Sequence, residues 1–355
     1  MPKHRHRWDP VCDTPTDLVH PVRMDPTGST GPTRHQAEHA GRPGSEWRRV
    51  WQGLFVPTYV DPDVPEQRIV EAAALLTGPC AVTGWASLRM QRAAFFDGRD
   101  RDGTVQPVPL VARQGRRRRP GVVWMQDRLD PRDVVRRAGV QVTVPERAAF
   151  DAMRRATDLR AAVRVADMVC AAELSSIERM RRYAHAHPRW AGCPVVAQAL
   201  DLANERSRSP AEVDLRLVWE LDAGLPRPLV NVPVFTRHGR LLGVADLLDE
   251  SAGLVIEFDG ADHAGARRRS KDAAREGGLR DHRLEVERAT GFDLHDLPTL
   301  VRRLHAARRR APWLAEADRP WTLEPPSWWE PELTLDARLD LRDFERGCDE
   351  RDRAG

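Results

Sequence analysis

The residue types best suited to chemistry crowd into one stretch, GVADLLDESAGLVIEFDGADHAG. In it Asp246 interrupts an apolar run, and Glu257 and Asp259 alternate with Ile256 and Phe258. A lone carboxylate buried in a strand costs several kcal/mol unless it is paired or metal-bound. Three on adjacent strands call for a cation. A four-residue loop, Glu250–Gly253, would set Asp249 against Leu254 and Asp246 against Glu257. Side-chain alternation would then put Asp246, Glu257 and Asp259 on one face, with Ile256 and Phe258 turned to the core. A five-residue loop would send Asp246 to the opposite face, and the sequence leaves both registers open.

Converging carboxylates of this kind suit Mg²⁺ or Mn²⁺. Mg²⁺ binds one or two carboxylates and fills its octahedron with water and phosphate oxygens. Such an ion polarises a phosphoryl oxygen and lowers the pKa of a bound water. The metal candidates are therefore Asp246, Glu257 and Asp259. His263, four residues beyond Asp259, suits general acid–base work. Asp272 and Arg275 share a helix face, and Arg275 or Arg280 could clamp a phosphate bidentately. Glu212 reads as a carboxylate able to order water. Each also has a plainer reading, as an edge-strand aspartate, a surface histidine, a helix-surface ion pair or a capping glutamate.

These residues need elements to position them. Ser209-Pro-Ala-Glu212 is a capping box, and Val213, Leu217 and Leu221 form one apolar stripe down to Gly224. Strand-like runs follow at Leu229–Phe235, Leu241–Leu248 and Leu254–Phe258. A polar helix near Lys271–Arg280, a strand at Leu284–Ala289 and a helix at Leu294–Arg310 complete an αβββαβα order.

Upstream, GPTRHQAEHAG places Pro32 at a first helical position and Gly41 as a cap. Trp47–Trp51, a Gln52-Gly53 turn and Leu54–Pro57 then read as a hairpin. A short helix followed by a hairpin carrying Arg48 and Arg49 is the layout of a winged helix, or of a small α+β lobe with no DNA contact. The run Arg116, Arg117, Arg118 and Arg119 is either a solvated turn or a phosphate-contacting loop. Thr143-Val-Pro-Glu146 reads as a further capping box.

Asp246, then Ile256-Glu257-Phe258-Asp259-Gly260 with His263, then Asp272-Ala-Ala-Arg275-Glu276, resembles a bacterial Vsr-like domain of the PD-(D/E)XK nuclease superfamily. Ser207–Glu212 looks like the start of that domain. The resemblance covers about residues 205–310 and implies a metal-dependent DNA endonuclease. By it, Asp246 matches the central metal-binding aspartate, and Glu257 and Asp259 the carboxylates of the next strand. His263 matches the histidine after the motif, and Glu212 the first-helix glutamate. The superfamily's lysine is absent, its place taken by Asp259. Vsr-type sites also lack it, but so would a domain that keeps the fold without cleavage. Residues 28–200, through GPTRHQAEHAG, WRRVWQGLFVP and VTGWASL, more weakly resemble AbiEi-like antitoxin proteins. That implies a noncatalytic DNA-binding regulator as the alternative.

The expected organisation is a disordered arm (1–30), a winged-helix-like segment (31–65) and a middle AbiEi-like segment (66–200). A restriction-endonuclease-like αβββαβ core (205–310) and a Trp/Pro-rich tail (311–355) follow. The fold class is α+β / α/β multidomain. A length of 355 residues suits two or three domains, and 41% hydrophobic residues suffice for real cores. Net charge is only +3, and all but two of the 56 basic residues are arginine, the exceptions being Lys3 and Lys271. Arginine abundance by itself therefore says nothing about nucleic acid. The five cysteines form no C-x-x-C pair, which argues against a thiolate zinc site. No Gly-rich loop joins a strand to a helix, which disfavours nucleotide-binding folds. No apolar run reaches the roughly 20 residues of a membrane span, and the N-terminus lacks an apolar signal region. The expectation is a soluble cytoplasmic protein whose partners are DNA and a toxin–antitoxin or defence-system component.

Overall fold

The computed structural model describes residues 9–113, 117–259 and 276–354, the stretch 346–354 by its backbone alone. The chain is a mixed α/β protein of two compact units, Met1–Thr157 with Glu178–Leu200 and Asp158–Ile177 with Asp201–Gly355. No helix among the described residues is long and apolar enough to cross a membrane.

The first unit opens with α1 (Arg34–His39), capped by Thr33 and Gln36 in a reciprocal capping box. The helix thus begins two residues later than Pro32, and Ala40 rather than Gly41 caps it. The hairpin β1 (Trp47–Trp51) and β2 (Leu54–Pro57) follows. Its turn needs a left-handed residue, and Gly53 supplies φ +73°. Next come α2 (Pro65–Ala73), β3 (Cys80–Val82), α3 (Gly84–Met90), β4 (Val108–Ala112), β5 (Val122–Met125), β6 (Val134–Arg137), β7 (Val140–Thr143) and α4 (Pro145–Met153). The sheet order is β5-β4-β3-β7-β6. Thr143 does not cap α4. Val144 is its N-cap, while the Thr143 hydroxyl donates to Thr83 Oγ1 at 3.0 Å inside the unit.

Helix α5 (Leu159–Ala171) belongs to the second unit, whereas α6 (Ile177–Ala186) and α7 (Cys193–Leu202) lie mostly in the first. The second unit continues with α8 (Pro210–Leu217), β8 (Leu229–Thr236), β9 (Leu241–Asp249) and β10 (Leu254–Asp259). Residues 276–281 are helical (α9), and β11 (Glu285–Thr290), α10 (Leu297–Arg310), β12 (Trp321–Thr322) and α11 (Leu335–Ala354) complete it.

The sheet order is β11-β10-β9-β8-β12, with β8, β9 and β10 antiparallel and β11 parallel to β10. Parallel pairing requires a crossover connection, and α9 lies on it. Alternation along β10 feeds two cores. Leu254 and Ile256 join Leu247, Trp219, Leu300 and Leu304, whereas Val255 joins Leu248, Val286, Leu279 and Trp321. Helices α8 and α10 thus cover one face, and α9 and β12 contribute to the other.

Candidate metal and phosphate site

Helix α8 begins where its sequence predicts. Ser209 Oγ accepts the Glu212 amide at 3.3 Å and donates to Glu212 Oε1 at 3.0 Å, with Pro210 at the first helical position. Glu212 Oε2 accepts from the Arg208 amide at 3.0 Å and from Asn231 Nδ2 at 2.9 Å. Asn231 sits in β8 at φ +46°, a conformation that asparagine tolerates better than branched residues. Its Nδ2 also donates to the Arg206 carbonyl at 2.8 Å. Glu212 is therefore a buried anchor joining the start of α8 to β8.

The loop between β9 and β10 is 250–253, and the ladder pairs Asp249 with Leu254, Leu248 with Val255 and Leu247 with Ile256. This is the register of the four-residue loop. The paired positions end at Leu247 and Ile256, one step short of Asp246 and Glu257. There Asp246 Oδ2 accepts the Phe258 amide at 2.8 Å, so a side chain takes over from the backbone ladder. Both acids are only 7% exposed. Asp259, at the end of β10, is exposed and pairs with Arg288 at 3.0 Å.

Arg288 is the residue beside the candidate site that sequence reasoning missed. The parallel ladder aligns Glu257 with Arg288, so Glu257, Asp259 and Arg288 share the face of Val255 and Val286. Its guanidinium also binds Glu276 on α9 at 2.6 Å. Burial pulls its pKa down, but Asp259 and Glu276 outweigh that and raise it. In sequence Arg288 is one charge in Glu-Val-Glu-Arg. Only the parallel pairing reveals its neighbour, and sequence alone does not supply that register.

Asp246 and Glu257 are the residues that would hold Mg²⁺ or Mn²⁺, an ion that takes one or two carboxylates and keeps waters. Asp259 is engaged by Arg288 instead. Among the described residues no group of three or more His, Cys, Asp or Glu side chains is arranged to hold a metal ion. His263, Asp272 and Arg275 lie outside the described residues, as does Arg116. The chain matches no family model, no curated protein and no solved structure.

The arginines expected at DNA fall into two groups. Arg48 pairs with Glu71 at 2.7 Å, and Arg49 donates to the Ala37 carbonyl at 3.0 Å and stacks on Phe55. These two guanidiniums hold the hairpin to α2 and α1 rather than projecting from it. Partners 23 and 12 residues away engage them, which local hairpin reasoning does not foresee. Arg117 and Arg118 are exposed, and Arg119 lies 5.8 Å from the Trp51 ring centre. Arg280 is exposed beside the site, pairs with Glu276 at 2.9 Å and donates to the Val286 carbonyl.

Proposed function

We propose that the second unit is a metal-dependent DNA endonuclease of the Vsr-like, PD-(D/E)XK type, hydrolysing phosphodiester bonds. The carrying observation is buried Asp246 on β9, whose Oδ2 accepts the Phe258 amide at 2.8 Å, next to buried Glu257 on β10. The helix, antiparallel meander and parallel fourth strand support this reading, because that order is the one the superfamily core implies. Bound at Asp246 and Glu257, Mg²⁺ or Mn²⁺ would polarise the phosphoryl group and supply a nucleophilic water. Within the chain, Glu212 fixes β8 through Asn231. Asp246 holds the Phe258 amide and so the end of β10. Arg288 neutralises Asp259 and can turn from it to a phosphate oxygen. His263 is proposed to take or deliver the proton on the leaving oxygen. The first unit, with α1 followed by the hairpin, is proposed as a winged-helix-like, AbiEi-like module that docks DNA. Arg117 and Arg118 are then better phosphate contacts than Arg48 and Arg49.

One observation favours the noncatalytic regulator: Asp259 is tied to Arg288, which closes the strand end. Nicking of supercoiled plasmid in Mg²⁺ or Mn²⁺ separates the two readings. Wild-type cleavage that requires metal and disappears in Asp246→Asn and Glu257→Gln supports the endonuclease. Salt-sensitive DNA binding with no cleavage supports the regulator.

A further inference from the structure

A second feature of the second unit lies away from the carboxylates. At the C-terminal end of α10, His305, Arg308, Arg309 and Trp313 line a cleft of about 260 Å³. Trp313 follows Pro312 with φ +50°, the left-handed region in which a bulky residue is strained. The position is nonetheless tightly determined. The Trp313 amide donates to the Ala252 carbonyl at 3.1 Å, and its indole Nε1 donates to the Arg308 carbonyl at 3.0 Å. The Arg308 guanidinium lies 4.5 Å from the ring centre, and Asp249 holds that guanidinium at 2.7 Å. The indole still keeps 48% of its surface in solvent.

This is an aromatic ring fixed in orientation, half exposed, and bordered by cationic side chains. Helix C-termini ordinarily repel anions through their free carbonyls. Here the Ala311 amide caps the Ala307 carbonyl and the Trp313 indole caps that of Arg308. Arg308 is engaged by Asp249 and Arg310 by Glu285 and Glu287, whereas Arg309 is exposed and faces the cleft. Base stacking on a rigid aromatic beside a phosphate-binding arginine is how proteins hold single-stranded nucleic acid without reading its sequence.

We propose that this cleft binds single-stranded nucleic acid, a base stacking on Trp313 and the adjoining phosphate meeting Arg309 and His305. The site stands independently of the carboxylates. Asp249 and Leu254 mark the end of β10 remote from Asp259, roughly 17 Å along the strand.

Fluorescence anisotropy of a labelled oligothymidylate of about ten nucleotides, with full-length protein in EDTA, tests the proposal without any cleavage. Trp313→Ala should weaken binding by at least about fivefold, and Trp313→Phe, which keeps a ring, should retain most of it. Arg309→Gln should lower the slope of log K against log salt by about one. Circular dichroism and thermal melting identify variants that have lost the fold, and Arg309→Gln, an exposed change, keeps the test decisive if Trp313→Ala is among them. Binding unchanged in Trp313→Ala and Arg309→Gln would overturn the site, and so would no binding by the wild type. Equal loss in Trp313→Phe and Trp313→Ala would overturn the stacking role.

Discussion

Arg147 with Asp151 in the first unit, and Arg216 with Asp167 in the second, are pairs of opposite charge at 0% exposure, joined at 2.8 Å and 2.9 Å. Asp246 and Glu257 are buried almost as deeply, yet both are acids, on the neighbouring strands β9 and β10. The first kind of site is closed by the protein itself. Arg147 also lies 4.2 Å from the Trp190 ring centre, and Asp167 also accepts the Asn204 amide at 2.8 Å. Such networks join elements distant in sequence and pair each buried acid with a buried cation. The second kind places two acids on neighbouring strands, the arrangement on which the proposed cation site rests.

The largest expected effect tests that contrast directly. Asp246→Asn and Glu257→Gln should each lower metal-dependent nicking by about a thousandfold, while thermal melting without metal stays level or rises. In the matched pair the same kind of change should act in the opposite sense. Arg216→Met leaves Asp167 buried without its main cation, and urea unfolding should show a loss of about 3–5 kcal/mol. Adding Asp167→Leu should return much of it.

The Asp167 titration sharpens this. Burial, working against Arg216, pushes its pKa up from an ordinary 3.8 to about 6. Folding therefore takes up a proton between those values. Stability from this group is fully present below about pH 4 and is lost as pH rises through about 6. Urea midpoints measured from pH 4 to 7 should show that decline in the wild type and lose its Asp167 component in Asp167→Asn.

Smaller effects separate structural arginines from DNA-contacting ones. Arg48→Met should destabilise the first unit by about 2 kcal/mol, since it strands Glu71, and leave the salt slope of DNA binding unchanged. Arg117→Gln should do the reverse. The smallest change is expected at Asp249. Burial raises its pKa, but hydrogen bonds from Ser251, Arg308 and the Ala252 amide bring it below the ordinary 3.8. That stability is present above pH 3.8 and fades below it. Asp249→Asn should cost about 1 kcal/mol at neutral pH and flatten the acid limb of the unfolding curve.

Much of the second unit was legible because its signals are local. Ser209 and Glu212 announce a capped helix, and the spacing of Asp246, Asp249, Leu254 and Glu257 offers the observed register as one of two. The polar neighbours of the site were not legible. Arg288 meets Asp259 only through parallel pairing across a crossover, and Asn231 reaches Glu212 only because β8 passes the start of α8 with a left-handed residue. The Thr143 capping box failed for a related reason: β7 runs through Thr143, and its hydroxyl finds Thr83 sixty residues away. The intramolecular partners of Arg48 and Arg49, Glu71 and the Ala37 carbonyl, were not legible because they lie outside the hairpin.

The most direct measurement is Mn²⁺ binding to the full-length protein by electron paramagnetic resonance, comparing wild type with Asp246→Asn and Glu257→Gln. A site present in the wild type and lost in both variants is the predicted result. A wild type with no bound Mn²⁺, or binding that survives both substitutions, would contradict a cation site at Asp246 and Glu257.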